Sequence, residues 1–260
     1  GSLDARLKRT TKVDENKKFM LLRLQNPTAS MVSMARHQER IATNLANANT
    51  VGFKRDRVFV EALNERLDAE SAPRSDRVPT QWADMESGGL KSTGNPLDVA
   101  LQGDGFFVVN DEAGDEERYT RAGRFMIDSD RTLRTPAGLT VQGQDGGPIT
   151  VPDQPGDIQI SQDGRLQLND RTVGRLRVVR FDDPLRLERR EGATFAAPTT
   201  VPLDMDEPTI LQGQLEASNV NPVETMTDMI THYRLFETQQ RMMRTSDELL
   251  GRVSKDLGTF

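Results

Sequence analysis

The chain has 260 residues, a formal net charge of −6 and no cysteine. The acidic balance argues against a general nucleic-acid binder, which would present a basic face. The missing cysteine excludes disulfides, thiolate catalysis and cysteine metal sites. No apolar run approaches the ~20 residues that a membrane-spanning helix needs.

Residues 1–19 are basic and polar and show no clear periodicity. Gly1-Ser2 resembles a cloning scar, and Met20 reads as the native start. We therefore predict that residues 1–19 are an upstream extension or tag that is not part of the fold. The chain also lacks the charged and apolar segments of a cleaved signal peptide, so we expect none.

An apolar stripe predicts a helix from about Pro27 to Ala48. Met31, Ile41 and Leu45 lie at heptad positions of this stripe. Such spacing is typical of a coiled-coil seam or of a helix packed on a globular core. We assign 20–68 to an N-terminal helical segment with a motif loop. Residues 69–96, rich in Ser, Pro, Gly and charge, are predicted to form an extended linker.

The stretch NLANANTVGFKRD, Asn44–Asp56, closes this helix. Asn49 or Gly52 can adopt the left-handed conformation that ends a helix. That accounts for the glycine and one asparagine but not for the whole string. The amides of Asn44, Asn47 and Asn49 are therefore predicted to contact another chain.

Short alternating runs bounded by Gly, Asp and Pro predict an antiparallel β domain over 97–217. The segment LDVALQGDGFFVVN, Leu97–Asn110, has two apolar runs split by Gly-Asp-Gly, which indicates a strand, a turn and a strand. AGRFMIDSDRTLRTPAG, Ala122–Gly138, repeats this pattern. Each of these strands is short, as in antiparallel domains with many turns.

A second helical pattern begins at Pro222, with Asn221 as its predicted N-cap. A seven-residue repeat connects its apolar residues Met229, Phe236, Met243, Leu250 and Leu257. We predict that 218–260 is a C-terminal coiled-coil helix. The predicted fold class is α+β: long N- and C-terminal heptad helices form one coiled-coil module, and an antiparallel all-β domain is inserted between them.

The chain carries no recognisable catalytic or metal-binding motif. Its two histidines, His37 and His232, lie one on each predicted helix and lack the HExxH spacing. The GxSxG and GxxxxGKS/T motifs are also absent. We predict no enzyme activity, no metal and no cofactor. Two alternatives stay open: a soluble coiled-coil adaptor, and a hydrolase whose site residues converge only in the fold.

Four segments resemble one known family, the flagellar axial proteins that build the rod and hook of bacterial flagella. The matching segments are NLANANTVGFKR (Asn44–Arg55), LDVALQGDGFFVV (Leu97–Val109), YTRAGRFMIDSDRTL (Tyr119–Leu133) and LEASNVNPVETMTDMI (Leu215–Ile230). They occur in the family's order. The string PVETMTDMI in the last segment and GGPITVP (Gly146–Pro152) most resemble the proximal rod protein, with the distal rod protein as the runner-up. The short length also suits a rod protein better than the hook subunit.

The resemblance implies a structural subunit of the basal-body rod that assembles helically through its terminal helices and transmits torque across the periplasm. Its partners would be copies of itself, other rod proteins and the flagellar type III export apparatus, with no nucleic acid and no small-molecule substrate. Export would proceed without a cleaved signal peptide. The predicted assembly interface comprises Met31, Ile41, Asn44, Leu45, Asn47, Asn49, Gly52, Phe53, Met229, Phe236, Met243 and Leu250.

Overall fold

The structure is a computed structural model that describes residues 31–59, 80–111 and 114–257. The chain divides into two compact units. One unit, the helical unit, takes in Gly1–Thr43 and Val223–Phe260, and the other, the β unit, is Asn44–Pro222. The prediction that residues 1–19 are an extension before Met20 lies outside the described residues.

Two helices lie at the ends of the described chain. Helix α1 occupies 31–46 and helix α2 runs over Pro222–Leu257. Pro222 suits the first helical position because its ring fixes φ and its missing N–H would have no partner there. Glu224 places a carboxylate in the first turn, where the helix dipole favours negative charge. Neither described helix is long and apolar enough to cross a membrane.

The described part of the β unit, residues 44–59, 80–111 and 114–222, consists of short strands with a 3-10 helix at Pro184–Arg186. The strands are β1 (Asp56–Phe59), β2 (Thr80–Ala83), β3 (Leu90–Ser92), β4 (Val99–Gln102), β5 (Phe106–Asp111), β6 (Gly114–Thr120), β7 (Met126–Ile127), β8 (Leu133–Arg134), β9 (Thr140–Val141), β10 (Ile158–Ile160), β11 (Arg165–Leu168), β12 (Arg171–Arg175), β13 (Val178–Arg180), β14 (Glu188–Arg189), β15 (Thr194–Ala196), β16 (Leu203–Asp204), β17 (Thr209–Gln212) and β18 (Gln214–Glu216). Strands β2 and β3 lie within the range 69–96. The predicted domain boundaries stay predictions.

Strand pairing in the β unit is antiparallel throughout the described sheets. The largest sheet has nine strands in the order β14-β15-β6-β5-β9-β8-β7, with β13 joining β5 to β16. Strands β10, β11 and β12 form a three-stranded sheet, and three further pairs are β1-β2, β4-β17 and β3-β18. The last pair brings the chain just before α2 alongside the segment that follows β2.

Strand β5 lies at the centre of the core. Its side chains alternate between two apolar clusters: Phe107 and Val109 belong to one, and Phe106 and Val108 to the other. All four residues are buried because β5 is covered on both faces. This explains why the strand reads as a continuous apolar run rather than as an alternating one.

The predicted fold class is wrong. The described residues contain two helices, 31–46 and Pro222–Leu257, around a largely β body, and they do not form the expected module of long N- and C-terminal coiled-coil helices. The prediction failed because a heptad repeat shows which residues share a helix face but not what packs against that face. The spacing places Met229, Phe236 and Met243 on one face of α2, but these residues are only partly buried. A shared face does not establish a long partner helix that covers it.

Candidate functional site

The end of α1 is tied to the start of β1 by Asn44. Its side chain is 6% exposed. The amide oxygen accepts a hydrogen bond from the backbone N–H of Asp56 at 2.8 Å, and the amide nitrogen donates to the Asp56 carbonyl at 3.0 Å. The two bonds satisfy both backbone groups of one residue. Asn44 therefore acts in place of a neighbouring strand at this point.

The turn after α1 requires glycine at position 52. Gly52 has φ +66°, the left-handed region that L side chains rarely adopt. Its N–H donates to the Glu216 carbonyl at 2.8 Å. A Cβ at this position would lie 2.3 Å from the backbone nitrogen of Ala122. The turn thus packs directly against the backbone that follows β6, and both φ and space exclude a side chain.

A buried ion cluster lies behind this turn. Lys54 Nζ is 2.6 Å from Glu216 Oε1, and Arg121 Nη1 is 3.6 Å from Glu216 Oε2. The three side chains are 1%, 1% and 2% exposed. Lys54 also donates to the Glu86 carbonyl at 2.7 Å, and Glu216 accepts from the Gly88 N–H at 3.0 Å. One carboxylate therefore holds two buried cations and the loop that leads to β3.

Burial sets the protonation properties of the two cations. Loss of solvation lowers the pKa of Lys54 and the pKa of Arg121, and the negative charge of Glu216 opposes the shift in both cases. Both cations depend on Glu216 because a buried charge without a partner is costly. Glu216 is thus the residue on which this cluster depends.

A second ion pair lies at the end of the stretch Asn44–Asp56. The guanidinium of Arg189 in β14 lies 2.9 Å from Asp56 Oδ1. It also stacks over the ring of Phe53, with 4.3 Å between the guanidinium carbon and the ring centroid, and donates to the Lys54 carbonyl. Phe53 is 1% exposed. The aromatic residue of the motif is therefore a core residue held by a cation.

Asn219, just before α2, completes the contacts. Its amide oxygen accepts from the N–H of Arg55 at 2.6 Å, and its amide nitrogen donates to the carbonyls of Asp84 and Glu86 at 2.9 and 3.1 Å. We call the set Asn44, Gly52, Phe53, Lys54, Asp56, Arg121, Arg189, Glu216 and Asn219 the polar junction. It lies in the β unit beside both points, after Thr43 and Pro222, where the chain passes between the two units.

The predicted interface residues fall into separate groups. Asn44, Gly52 and Phe53 come together in the polar junction, and Ile41 on α1 is 7% exposed. Partly buried positions are Met31, Leu45, Asn47, Met229, Phe236 and Met243, while Asn49 is exposed. Leu250 lies in α2, and its side chain is outside the described part of the structure. The assembly role of these residues stays a prediction.

Sequence reasoning missed the charged members of the polar junction. Glu216 and Arg121 were not singled out because no periodic pattern links an acid to a base 162 positions away. The only available signal was that these two residues lie within segments that resemble the axial family.

Sequence reasoning also underestimated the exposed apolar surface of α2. Seven large residues of this helix are 48–72% exposed: Val223, Met226, Ile230, Tyr233, Leu235, Met242 and Leu249. At about 100° per residue, the first four form a stripe on one side of the partly buried face, and the last three form a stripe on the other side. Each stripe is centred about 100° from that face. Helix α2 thus presents two exposed apolar stripes, which is unusual for a surface helix.

The family matches agree with the motifs. Residues 211–256 match the family described as "Flagellar basal body rod FlgEFG protein C-terminal", and residues 100–168 match "Flagellar hook protein FlgE/F/G D1 domain". The first match includes Glu216 and Asn219 of the polar junction and most of α2. The second covers β4 to β11.

Curated relatives extend the similarity over most of the chain. The flagellar basal-body rod protein FlgF of Caulobacter vibrioides is 34% identical over 233 residues, which is 87% of this chain and 94% of the relative. FlgF of Salmonella typhimurium is 38% identical over 82% of this chain and 89% of its own length. The rod protein FlgG of Bacillus subtilis is 30% identical over 89% of this chain and 97% of its own. These relatives are rod proteins, which confirms the prediction that the chain is not an enzyme. They also confirm the resemblance drawn from the sequence: the chain belongs to the flagellar basal-body rod protein family.

Proposed function

We propose that the chain is a structural subunit of the flagellar basal-body rod, where it assembles with copies of itself and with other rod and hook proteins. Its membership of the rod family supports this role. A periplasmic position in the rod and export through the flagellar type III apparatus belong to the same proposal and rest on that membership alone. The role needs a polymer of rigid subunits rather than a catalytic site.

The observation that carries the proposal is the pair of exposed apolar stripes on α2. Val223, Met226 and Ile230 are each more than half exposed on one side of the helix, and Met242 and Leu249 are on the other. Burying one large apolar side chain contributes about 1.5–3 kcal/mol, so an exposed stripe of this size favours association. Two stripes facing different directions allow each helix to contact a different neighbour on each side.

Contacts of this kind lead to an open polymer. An interface that joins two different surfaces of the same subunit is heterologous, and it gives a helical filament when the rotation does not close a ring. The predicted residues Met31, Leu45, Met229, Phe236, Met243 and Leu250 are proposed to extend the helical contacts. Methionine suits such surfaces because its unbranched side chain adapts to different neighbours.

The motif residues are proposed to serve the interface in two ways. Asn47 and Asn49 lie partly or fully at the surface and are proposed to contact the next subunit. Asn44, Gly52 and Phe53 are buried in the polar junction, and we propose that they act by holding the motif loop in shape. Ile41 is likewise proposed to support the helical contacts from a buried position. A junction fixed by buried ion pairs resists shear, as torque transmission requires.

The test compares two substitutions that change the net charge of α2 by the same amount. Ile230→Glu places a carboxylate in the first exposed stripe, and Arg241→Gln removes a cation at an exposed position whose neighbours three and four residues away are all polar. Light scattering of the purified proteins against concentration follows polymer growth, and circular dichroism checks folding. We expect growth of the parent protein and of Arg241→Gln, and loss of growth in Ile230→Glu. Complementation of a deletion strain on soft agar should follow the same order.

Two results would contradict the proposal. A discrete dimer or trimer whose size does not change with concentration would favour a soluble adaptor. Equal growth of both variants would show that the exposed stripes of α2 are not the assembly surface.

A further inference from the structure

The chain's two histidines contact each other within the helical unit. His37 lies on α1 and His232 on α2, and their ring centroids are 4.2 Å apart with the planes tilted by 48°. Both side chains are partly buried. The proposed role of the rod subunit does not use this pair.

The charges around His37 make its protonation unfavourable. Among the described residues, the groups that act on His37 are Arg40 on its own helix and His232 and Asp228 on α2. When both imidazoles are neutral, Arg40 and Asp228 balance each other. When both are protonated, three positive charges face one carboxylate.

The direction of the titration follows from these contacts. Burial, and then the positive charges of His232 and Arg40, lower the pKa of His37, and Asp228 only partly opposes them. A histidine whose pKa is depressed in the paired state binds fewer protons there than in the separated state. His37 therefore stabilises the paired state fully above its ordinary pKa, about 6.5. This stabilisation is lost as the pH falls below that value.

We propose that His37 and His232 form an acid-sensitive clamp that joins α1 to α2 at neutral pH and releases the two helices when both rings are protonated. The clamp goes beyond the proposed function because the contact lies inside one subunit and concerns the regulation of its helices. Histidine is the side chain whose charge changes in this pH range, and a pair in contact couples two protonations to one separation.

The experiment uses proton NMR of the full-length protein to follow the two imidazole Cε1 protons from about pH 8 to about pH 5. His37→Gln and His232→Gln each remove one signal and so assign the other. We expect His37 to titrate below its ordinary pKa in the parent protein and closer to that value in His232→Gln. Each unit of depression corresponds to a tenfold preference for the neutral ring in the paired state.

Circular dichroism over the same pH range measures release. The parent protein should lose helical signal as the pH falls, and His37→Phe, which keeps an aromatic ring without a titrating group, should retain it. Ordinary titration of His37 in the parent protein would overturn the proposal, as would a helical signal that does not change with pH or changes equally in His37→Phe. These outcomes are independent of polymer growth, so failure of the clamp leaves the rod proposal standing.

Discussion

Lys54 Nζ and Glu216 Oε1 lie 2.6 Å apart, with both side chains 1% exposed and 162 positions between them in the chain. This buried pair links the motif that follows α1 to the strand that precedes α2. Arg121 adds a second cation to the same carboxylate. The pair therefore ties together the two chain segments that lead to the helices.

Removing the charge of Glu216 should destabilise the protein strongly. Glu216→Gln keeps the shape but leaves Lys54 and Arg121 buried without an anion, and breaking a buried ion pair from one side costs about 3–5 kcal/mol. Urea unfolding measures the change. Glu188→Gln is the control because the Glu188 side chain is 57% exposed beside Arg190, and it should change the free energy of unfolding by less than about 1 kcal/mol. Equal effects would contradict the role of the cluster.

Gly52→Ala should lower the free energy of unfolding by more than the strain of a left-handed backbone alone explains. The new Cβ would lie 2.3 Å from the Ala122 nitrogen, so the turn must move away from the end of β6. Gly94→Ala is the matched control, since Gly94 has φ +72° and nothing within 4 Å of its Cβ position. We expect about 1 kcal/mol for Gly94→Ala and about 1–3 kcal/mol more for Gly52→Ala in thermal or urea unfolding.

Asn44→Asp should weaken the connection between α1 and β1. A carboxylate accepts the Asp56 N–H bond but cannot donate to the Asp56 carbonyl, and the new charge is buried. We expect a loss of about 1–3 kcal/mol of unfolding free energy. Asn49→Asp makes the same change at an exposed position and should stay within about 0.5 kcal/mol. A similar loss in both variants would show that the Asn44 bonds are not responsible.

Alkaline pH should destabilise the protein through Tyr119. Burial, the hydrogen bond from its hydroxyl to Glu117 and the charge of Glu117 raise the pKa of Tyr119 well above its usual range. The folded state therefore keeps a proton that the unfolded state loses above about pH 10. The contribution of Tyr119 to the free energy of unfolding is fully present below about pH 10 and decreases by roughly 1 kcal/mol near pH 11.

Tyr119→Phe should remove this part of the pH dependence. Urea unfolding at about pH 9 and about pH 11 gives the difference for each protein, which separates the titration from any constant effect of the substitution. Tyr233→Phe is the control, because Tyr233 is the other tyrosine of the chain and is 56% exposed. The account is contradicted if Tyr119→Phe loses as much stability between the two pH values as the parent protein.

Local features of the fold followed from the sequence. Helix α2 begins at Pro222, where the Asn221-Pro222 signal places it, because capping and a fixed φ act within one turn. Strands β4 and β5 flank Gly103–Gly105, where the two apolar runs are split, since a turn residue and an apolar run are also local signals.

Long-range features did not follow from it. The strand order places β15 beside β6 and β13 beside β5, and no spacing in one sequence specifies such pairings. The same limit explains the polar junction: Lys54 and Glu216 gave no periodic signal. It also explains the wrong coiled-coil module, because the repeat of Met229, Phe236 and Met243 defines a face and not what covers it.

The most direct test of the central claim is to purify intact hook–basal bodies from the source bacterium and search for this chain by mass spectrometry. The account predicts that the chain is present and resists removal by detergent and alkaline washing, as expected for a structural rod subunit. Finding it only in the soluble fraction would contradict the proposed role and would favour a soluble adaptor that shares the ancestry of the rod proteins.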